Sequence, residues 1–508
     1  MKIVRRELFT DRWHWLLALT AGLLLHFSWY PSGQTAFVFL AFIPFFYIKD
    51  HHSTRLFRAF GLYFFGFLVF HIGAGWWMYS STFVGSLLAH IFNATYMALV
   101  FFVWMKVSGL SFFKRFNYFI FIVLWLSFEF LHQRWELAWP WFTLGHVFAE
   151  KTQWIQWYSF TGALGGSLWV LLANILLYET MSGLQRFDLK RNTTMITFLV
   201  VVFAGPVLLS KRMENEVGDS KNTIKVLVVQ PNIHPQKEKF AGMTAAEQLH
   251  KAMQLVDSAP TDSLDLVLFP ETMLIEAFDE AQPDSSGLVR QLRKLAADAS
   301  VSIITGAYTK RHSGWNSRDQ NAVVMAARPY VLYNSAVFIS GKELGIYHKE
   351  KLVPLVEKQP FQWLMQPLRN YVESAGGLFG SYGTYNEKRT FLLNDSVFVR
   401  PVICFESAFP VFSEAVSEGK YGFMAIITND GWWQSRGGYY QHLMLARLRA
   451  IESGMWVVRS ANTGVSAVID PRGNIRAQCD YGTAGAFFFE IPLMKQPASV
   501  GEWPDAAR

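Results

Sequence analysis

The chain has 508 residues, 51% hydrophobic and only 17% charged, with 45 Phe and 19 Trp. Charged residues make up about 25% of an ordinary soluble domain, so a wholly soluble enzyme is excluded. The net charge is +7 with the basic residues scattered, which does not imply a nucleic-acid surface. Two cysteines cannot build a disulfide framework, and Cys404 and Cys479 fall in no metal-ligand spacing.

The first 210 residues are a series of apolar runs, read as membrane helices over 13–29, 35–48, 59–79, 85–106, 117–131, 160–181 and 195–210. The connectors alternate in charge. Lys2, Arg5, Arg6 and Arg12 precede the first run, Lys49, Arg55 and Arg58 follow the second, Lys106, Lys114 and Arg115 the fourth, and Arg186, Lys190 and Arg191 the sixth. The connectors 31–34 and 80–84 carry no Lys or Arg. By the positive-inside rule the N-terminus is cytoplasmic, and seven spans leave everything after Ser210 on the opposite side; Lys211 and Arg212 oppose that placement weakly. No small-residue cleavage site follows residues 26–30, so the first run is read as a span and not as a cleaved signal peptide.

Polar residues within the runs need a reason. Glu129 is either functional or an interface residue meeting His132 or Arg134. His26, His71 and His90 are expected to pack against neighbouring helices. The connector 133–158 holds Trp135, Trp139, Trp141, Trp154 and Trp157, which an aromatic belt at the membrane interface explains.

A polar linker follows at 213–222, and from 223 to 493 the composition becomes that of a globular domain. Strand signals recur at 225–230, 264–269, 301–305, 335–340, 397–403, 423–428, 455–459 and 466–470, with helical patterns at 245–258, 286–299 and 441–452. The expected architecture is a multi-span α-helical membrane domain (1–212) followed by an α/β sandwich. No Gly-rich phosphate loop follows a strand, so no nucleotide cofactor is expected.

Three places in this second domain carry chemistry. Glu271 ends LVLFPE, at the carboxyl end of a buried strand where α/β sites form. Lys349 lies in YHKEKLVP just past another strand, and Cys404 ends the apolar run of RPVICFE. A helix is expected over 408–418, and a cysteine at such an elbow gains thiolate character from the helix N-terminus. A thiol nucleophile needs a base, which a carboxylate supplies, and its tetrahedral intermediate needs a cation or amide donors. Each residue alone has a plain alternative: a buried core thiol, a solvated acid and a surface lysine. Only the combination is informative.

FPE at 269–271, YHKEKLVP at 347–354, ICFES at 403–407 and TNDGWW at 428–433 resemble the nitrilase (carbon–nitrogen hydrolase) superfamily. Joined to the multi-span N-terminus, they resemble the apolipoprotein N-acyltransferase family of bacterial envelopes. VVQPNI at 228–233, WLSFEFL at 125–131, WPWFTLGH at 139–146, QHLMLARLRAIESG at 441–454 and RSANTGVSAVIDPRG at 459–473 extend the likeness to nearly the whole chain.

The resemblance implies an αββα nitrilase-like domain on the extracytoplasmic side of the inner membrane and a triad of Glu271, Lys349 and Cys404. It implies acyl transfer from the sn-1 ester of a phospholipid, typically phosphatidylethanolamine, through a Cys404 thioester to the α-amine of a diacylglyceryl-cysteine. It implies that Lys349 and the Phe405 N–H steady the oxyanion, and that Glu357 and Glu406 support the site. No cofactor or metal is expected, and the protein is expected to act as a monomer in the bilayer. Phe240, Phe361, Trp363, Trp432 and Trp433 are candidates for an apolar cover over the thioester, and Asn429 and Asn462 for ordering nearby loops.

The chain departs from the family pattern in places. LVPFGE reads LVPLVE, Phe405 stands for a common Tyr, and Phe240 for a common Trp. The resemblance also implies a closing membrane helix, whereas 494–508 holds no apolar run. Two other readings stay open on the residues alone: a membrane-tethered amidase acting on a small amide or nitrile, and a non-enzymatic membrane-anchored binding protein.

Overall fold

A computed structural model describes residues 2–31, 33–52, 55–184, 189–213, 223–259, 263–312, 330–341, 343–361, 381–384, 390–394, 396–413 and 421–493. It divides into two compact units. The first comprises Met1–Glu216 with Ser435–Met444, and the second Val217–Gln434 with Leu445–Arg508.

The first unit is helical: α1 (Lys2–Ser28), α2 (Ile43–His51), α3 (Leu56–Gly75), α4 (Phe83–Ser108), α5 (Asn117–His132), α6 (Tyr158–Leu184) and α7 (Leu189–Met213). Among the described residues, four helices are long and apolar enough to cross a membrane: Leu56–Ser80, Phe83–Ser108, Tyr158–Ser182 and Thr193–Met213. The fourth presents Phe198, Val200, Val201 and Leu208 outward, as a lipid-facing helix does. The second apolar run is not a single span. It breaks into a 3-10 helix, Thr35–Phe39, and the nine-residue α2, which at 1.5 Å per residue falls well short of a hydrocarbon core of about 30 Å. Asn174 makes the break tolerable, since its amide donates to the Val38 carbonyl and its Oδ1 accepts the Phe42 N–H.

Helices α1 and α3 touch through Gly22 and Gly66, where a Cβ on either would meet the other helix's backbone. Small residues permit such close crossings in membranes. Glu129 does not meet His132 or Arg134; its Oε1 accepts the Trp125 indole at 3.0 Å and the Leu144 N–H at 2.9 Å. His132 instead bonds Asn93 and Trp135. The expected tryptophan belt also changes character. Trp141 and Trp157 are buried, and Trp77 and Trp141 both donate to Gln441, whose own amide donates to the carbonyls of Tyr30 and Ala74.

The second unit contains two sheets. The larger runs β13 (Gly485–Pro492), β1 (Thr223–Gln230), β2 (Leu266–Leu268), β4 (Ser302–His312), β5 (Tyr330–Ser340) and β6 (Glu343–His348), with β3 (Leu274–Asp279) also paired to β4. The smaller runs β12 (Ile475–Cys479), β11 (Ser466–Ile469), β10 (Val457–Ala461), β9 (Tyr421–Thr428), β8 (Val397–Ile403) and β7 (Phe391–Asn394). The sheets meet face to face, β1 against β10 and β5 against β8. Helices α8 (Ala245–Asp257) and α9 (Gly287–Asp298) cover the larger sheet, burying Leu249, Val256, Val289 and Leu292 against Leu227, Phe269, Ile303 and Val337. Thr244 and Glu247 close α8 with a capping box and Ser286 caps α9, so both helices start where the sequence signals them. A further helix, α10 (Arg436–Ser453), carries buried Leu445, Leu448 and Ile451 in its second half.

Candidate active site

Strand geometry converges the chemistry. β2 and β3 pair parallel to the same strand, β4, and Glu271 lies in the break between them. The Gly306 N–H holds the Pro270 carbonyl, and Thr272 adopts φ +49°. A Cβ on Gly306 would collide with the backbone of Glu271 and Thr272, so only glycine lets β4 pass this turn. In the smaller sheet β8, β9 and β10 run parallel, and their carboxyl ends deliver Cys404, Asn429 with Asp430, and Asn462. α/β sites form at such strand ends.

The buried Glu271 and Lys349 form one cluster with the partly buried Glu357. Lys349 Nζ lies 3.1 Å from Glu271 Oε1 and 2.8 Å from Glu357 Oε1. Asn334 Nδ2 donates to the same two oxygens, at 2.8 and 3.1 Å. Glu357 Oε2 accepts the Val353 N–H, and the LVPLVE loop wraps its own N–H groups around the Val353 carbonyl with Leu355 at φ +65°. Burial alone would lower the Lys349 pKa, but the charges of Glu271 and Glu357 hold it well above the usual range, so the ammonium stays protonated.

Cys404 sits at φ +51°, a left-handed conformation that non-glycine residues seldom adopt and that clusters at functional sites. The expected helix after it is instead a 3-10 helix, Cys404–Ala408, followed by another at Pro410–Ser413; residues 414–418 of the expected helix lie outside those described. The expected thiolate is also corrected. Burial pushes the thiol pKa up, the Glu271 charge pushes it further, and Lys349 and a hydrogen bond with Thr428 only partly offset them. A one-turn 3-10 helix has too weak a dipole to reverse this. The thiol is therefore protonated at rest and needs a base.

Glu406 faces away from that chemistry. Its Oε1 accepts the Glu350 N–H at 2.6 Å and the Tyr347 hydroxyl at 2.9 Å, and its Oε2 accepts the Ile403 N–H at 2.7 Å. One side chain thus ties the Lys349 loop to the strand that ends at Cys404. Burial pushes its pKa up to about 8 in spite of these donors. Asn462 bonds both the N–H and the carbonyl of Ile233 and donates to Asn429 Oδ1, joining the ends of β1, β9 and β10. Asp430, fully buried, pairs with Arg459 at 2.6 Å.

Of the cover candidates, Phe240 is exposed and stacks on Trp432 with centroids 5.7 Å apart. Trp433 is half-buried, Phe361 is half-buried at φ +50°, and Trp363 lies outside the described residues. A cavity of about 580 Å³ opens beside Phe240, lined also by Lys239, Met243, Ile275, Leu332, Tyr308 and Tyr382. Cys479 contacts Thr483 well apart in sequence from these groups. Sequence reasoning missed Asn334 and Lys239. A lone Asn inside the apolar run YVLYNSAVFIS was the available signal for the first.

Residues 225–503 match the family described as Carbon-nitrogen hydrolase, which fits two facing sheets with a Glu, Lys and Cys at strand ends. Residues 21–176 match the Apolipoprotein N-acyltransferase N-terminal domain. The apolipoprotein N-acyltransferase of Chlorobaculum tepidum is 26% identical over 505 residues, covering 96% of this chain and 92% of that protein. That of Rickettsia bellii is 30% identical over 383 residues, covering 73% and 69%. That of Pseudomonas syringae pv. tomato is 25% identical, covering 96% and 92%. The chain belongs to the apolipoprotein N-acyltransferase family, a membrane branch of the carbon–nitrogen hydrolases. It is an acyl-transferring enzyme of a bacterial inner membrane.

Proposed function

We propose that the protein N-acylates lipoproteins by a ping-pong reaction through Cys404. Glu271 takes the thiol proton as the sulfur attacks the sn-1 ester carbonyl of a phospholipid, typically phosphatidylethanolamine. The C–O bond breaks, Glu271 returns the proton to the glycerol oxygen, and a lysophospholipid leaves. The α-amine of a diacylglyceryl-cysteine then attacks the thioester, Glu271 accepts a proton from the amine, and the thiol is regenerated as the amide forms. Lys349, with the Phe405 N–H, steadies the oxyanion in both halves.

The observation that carries this reading is the Lys349 ammonium, buried and bonded to Glu271 and Glu357, whose charge also acts on the Cys404 thiol. A protonated lysine interacting with the Cys404 thiol supports a role in steadying the negative charge that develops there. The cavity beside Phe240 has the size and apolar walls to take part of an acyl chain. Phe240, Phe361, Trp363, Trp432 and Trp433 are proposed to exclude water from the thioester. The catalytic unit is proposed to face the outside of the inner membrane, with the N-terminus in the cytoplasm and a monomer as the working form.

The test is intact-mass spectrometry of the purified enzyme after incubation with phosphatidylethanolamine vesicles. The expected result is one added acyl mass, released by hydroxylamine and absent from Cys404→Ala. Lysophospholipid release with no adduct, under conditions that trap one in a thioester control, overturns the covalent route. Neither product would return the amidase or binding-protein reading to consideration.

A further inference from the structure

A second buried lysine touches the same glutamate. Lys239 closes the helical turn Pro235–Lys239 and is 2% exposed. Its Nζ donates to the main-chain carbonyl of Glu271 at 2.9 Å, and its own carbonyl accepts the amide of Gln248, a fully buried residue of α8. The Glu271 carbonyl also accepts the Thr272 hydroxyl at the left-handed turn.

Burying an ammonium is costly unless an opposite charge compensates, and an apolar side chain of similar length would fill the space without that cost. The compensating charge is Glu271 itself: burial lowers the Lys239 pKa and Glu271 offsets only part of that, leaving it at about 7. Glu271 therefore lies between two cations, Lys349 on its carboxylate and Lys239 on its backbone.

We propose that Lys239 is a positioning residue of the reaction, its charge-assisted bond to the Glu271 carbonyl fixing the turn that aims the Glu271 carboxylate. This rests on the reading of Glu271 as the base. The charged and titratable groups around the pair are Lys349, Glu357, Cys404, Tyr308 and Tyr382. Lys349, Cys404 and both tyrosines are shifted upward, so each keeps its proton through pH 8.5.

The experiment needs no lipid: the rate of Cys404 alkylation by iodoacetamide in the full-length protein, from pH 6 to 9, for wild type, Glu271→Gln, Lys239→Met and Lys239→Arg. Lys239→Met is expected to be at least tenfold slower than wild type at pH 6.5. The gap should close toward pH 8.5, where the wild-type lysine has itself lost its proton. Lys239→Arg should stay within threefold of wild type at pH 6.5 and exceed it above pH 8; this comparison decides the matter if Lys239→Met fails to fold. A Lys239→Met deficit that is absent, or constant across pH, overturns the proposal while leaving the base assignment intact, provided Glu271→Gln is slow. Unchanged or faster alkylation in Glu271→Gln overturns both.

Discussion

Asn334 Nδ2 lies 2.8 Å from Glu271 Oε1, the oxygen that Lys349 reaches at 3.1 Å. The carboxylate is thus clamped from a neutral and a charged donor at once. A hydrogen bond to a charged group contributes about 1.5–3 kcal/mol. Asn334→Ala should therefore slow acyl-enzyme formation about 10- to 100-fold in a mass-spectrometric time course. Asn334→Asp, which adds a third carboxylate to the cluster, should be slower still. Equal rates for Asn334→Ala and wild type would remove the clamp from the mechanism.

The protonated resting thiol has a direct readout. Because Lys349 lowers the Cys404 pKa and burial and Glu271 raise it, Lys349→Met should push the thiol further up. Its alkylation at pH 7 should be slower than wild type, and its rise with pH should begin at more alkaline values. Faster alkylation in Lys349→Met would contradict the electrostatic ordering of the site.

Gly306→Ala forces a methyl group into the backbone of Glu271 and Thr272. Overpacking of this kind costs about 1–3 kcal/mol, and relief requires the catalytic turn to move. A melting temperature lowered by several degrees together with loss of acyl-enzyme formation is expected. Gly287→Ala is the control, since a Cβ there meets only the tip of Arg290. It should leave both measurements unchanged.

Glu406 couples folding to pH. Its pKa rises from 4.5 to about 8 on folding, so the folded state holds the proton more tightly. Its stabilising contribution is complete below pH 4.5 and is lost as pH climbs through about 8. The melting temperature of the wild type should fall across that interval, and Glu406→Gln should flatten the trend. An unchanged slope in the variant assigns the pH dependence elsewhere.

The sequence exposed those parts of the site that chemistry spells out locally. Glu271 ends an apolar strand after Pro270, Lys349 follows a strand, and Cys404 ends another. The interior strands β1, β4, β5, β8 and β9 were legible because burial on both faces leaves continuous apolar runs. β3, β6, β7, β12 and β13 were not, because these strands are short or partly exposed and mix charged or polar residues into the pattern. Asn334 was hidden since its importance comes from two acids, 63 residues earlier and 23 later, that only the fold brings beside it. The run 35–48 misled because apolarity reports burial and not helical continuity, and Asn174 satisfies the broken backbone from a distant helix.

Cys404's high proton affinity also decides how the enzyme ages. The thiolate attacks peroxides and disulfides, whereas the thiol is largely unreactive toward them. A buried thiol whose pKa is pushed up rests in the form least open to oxidation. On the proposed mechanism, a nucleophile kept uncharged until substrate arrives is sheltered from oxidation between turnovers.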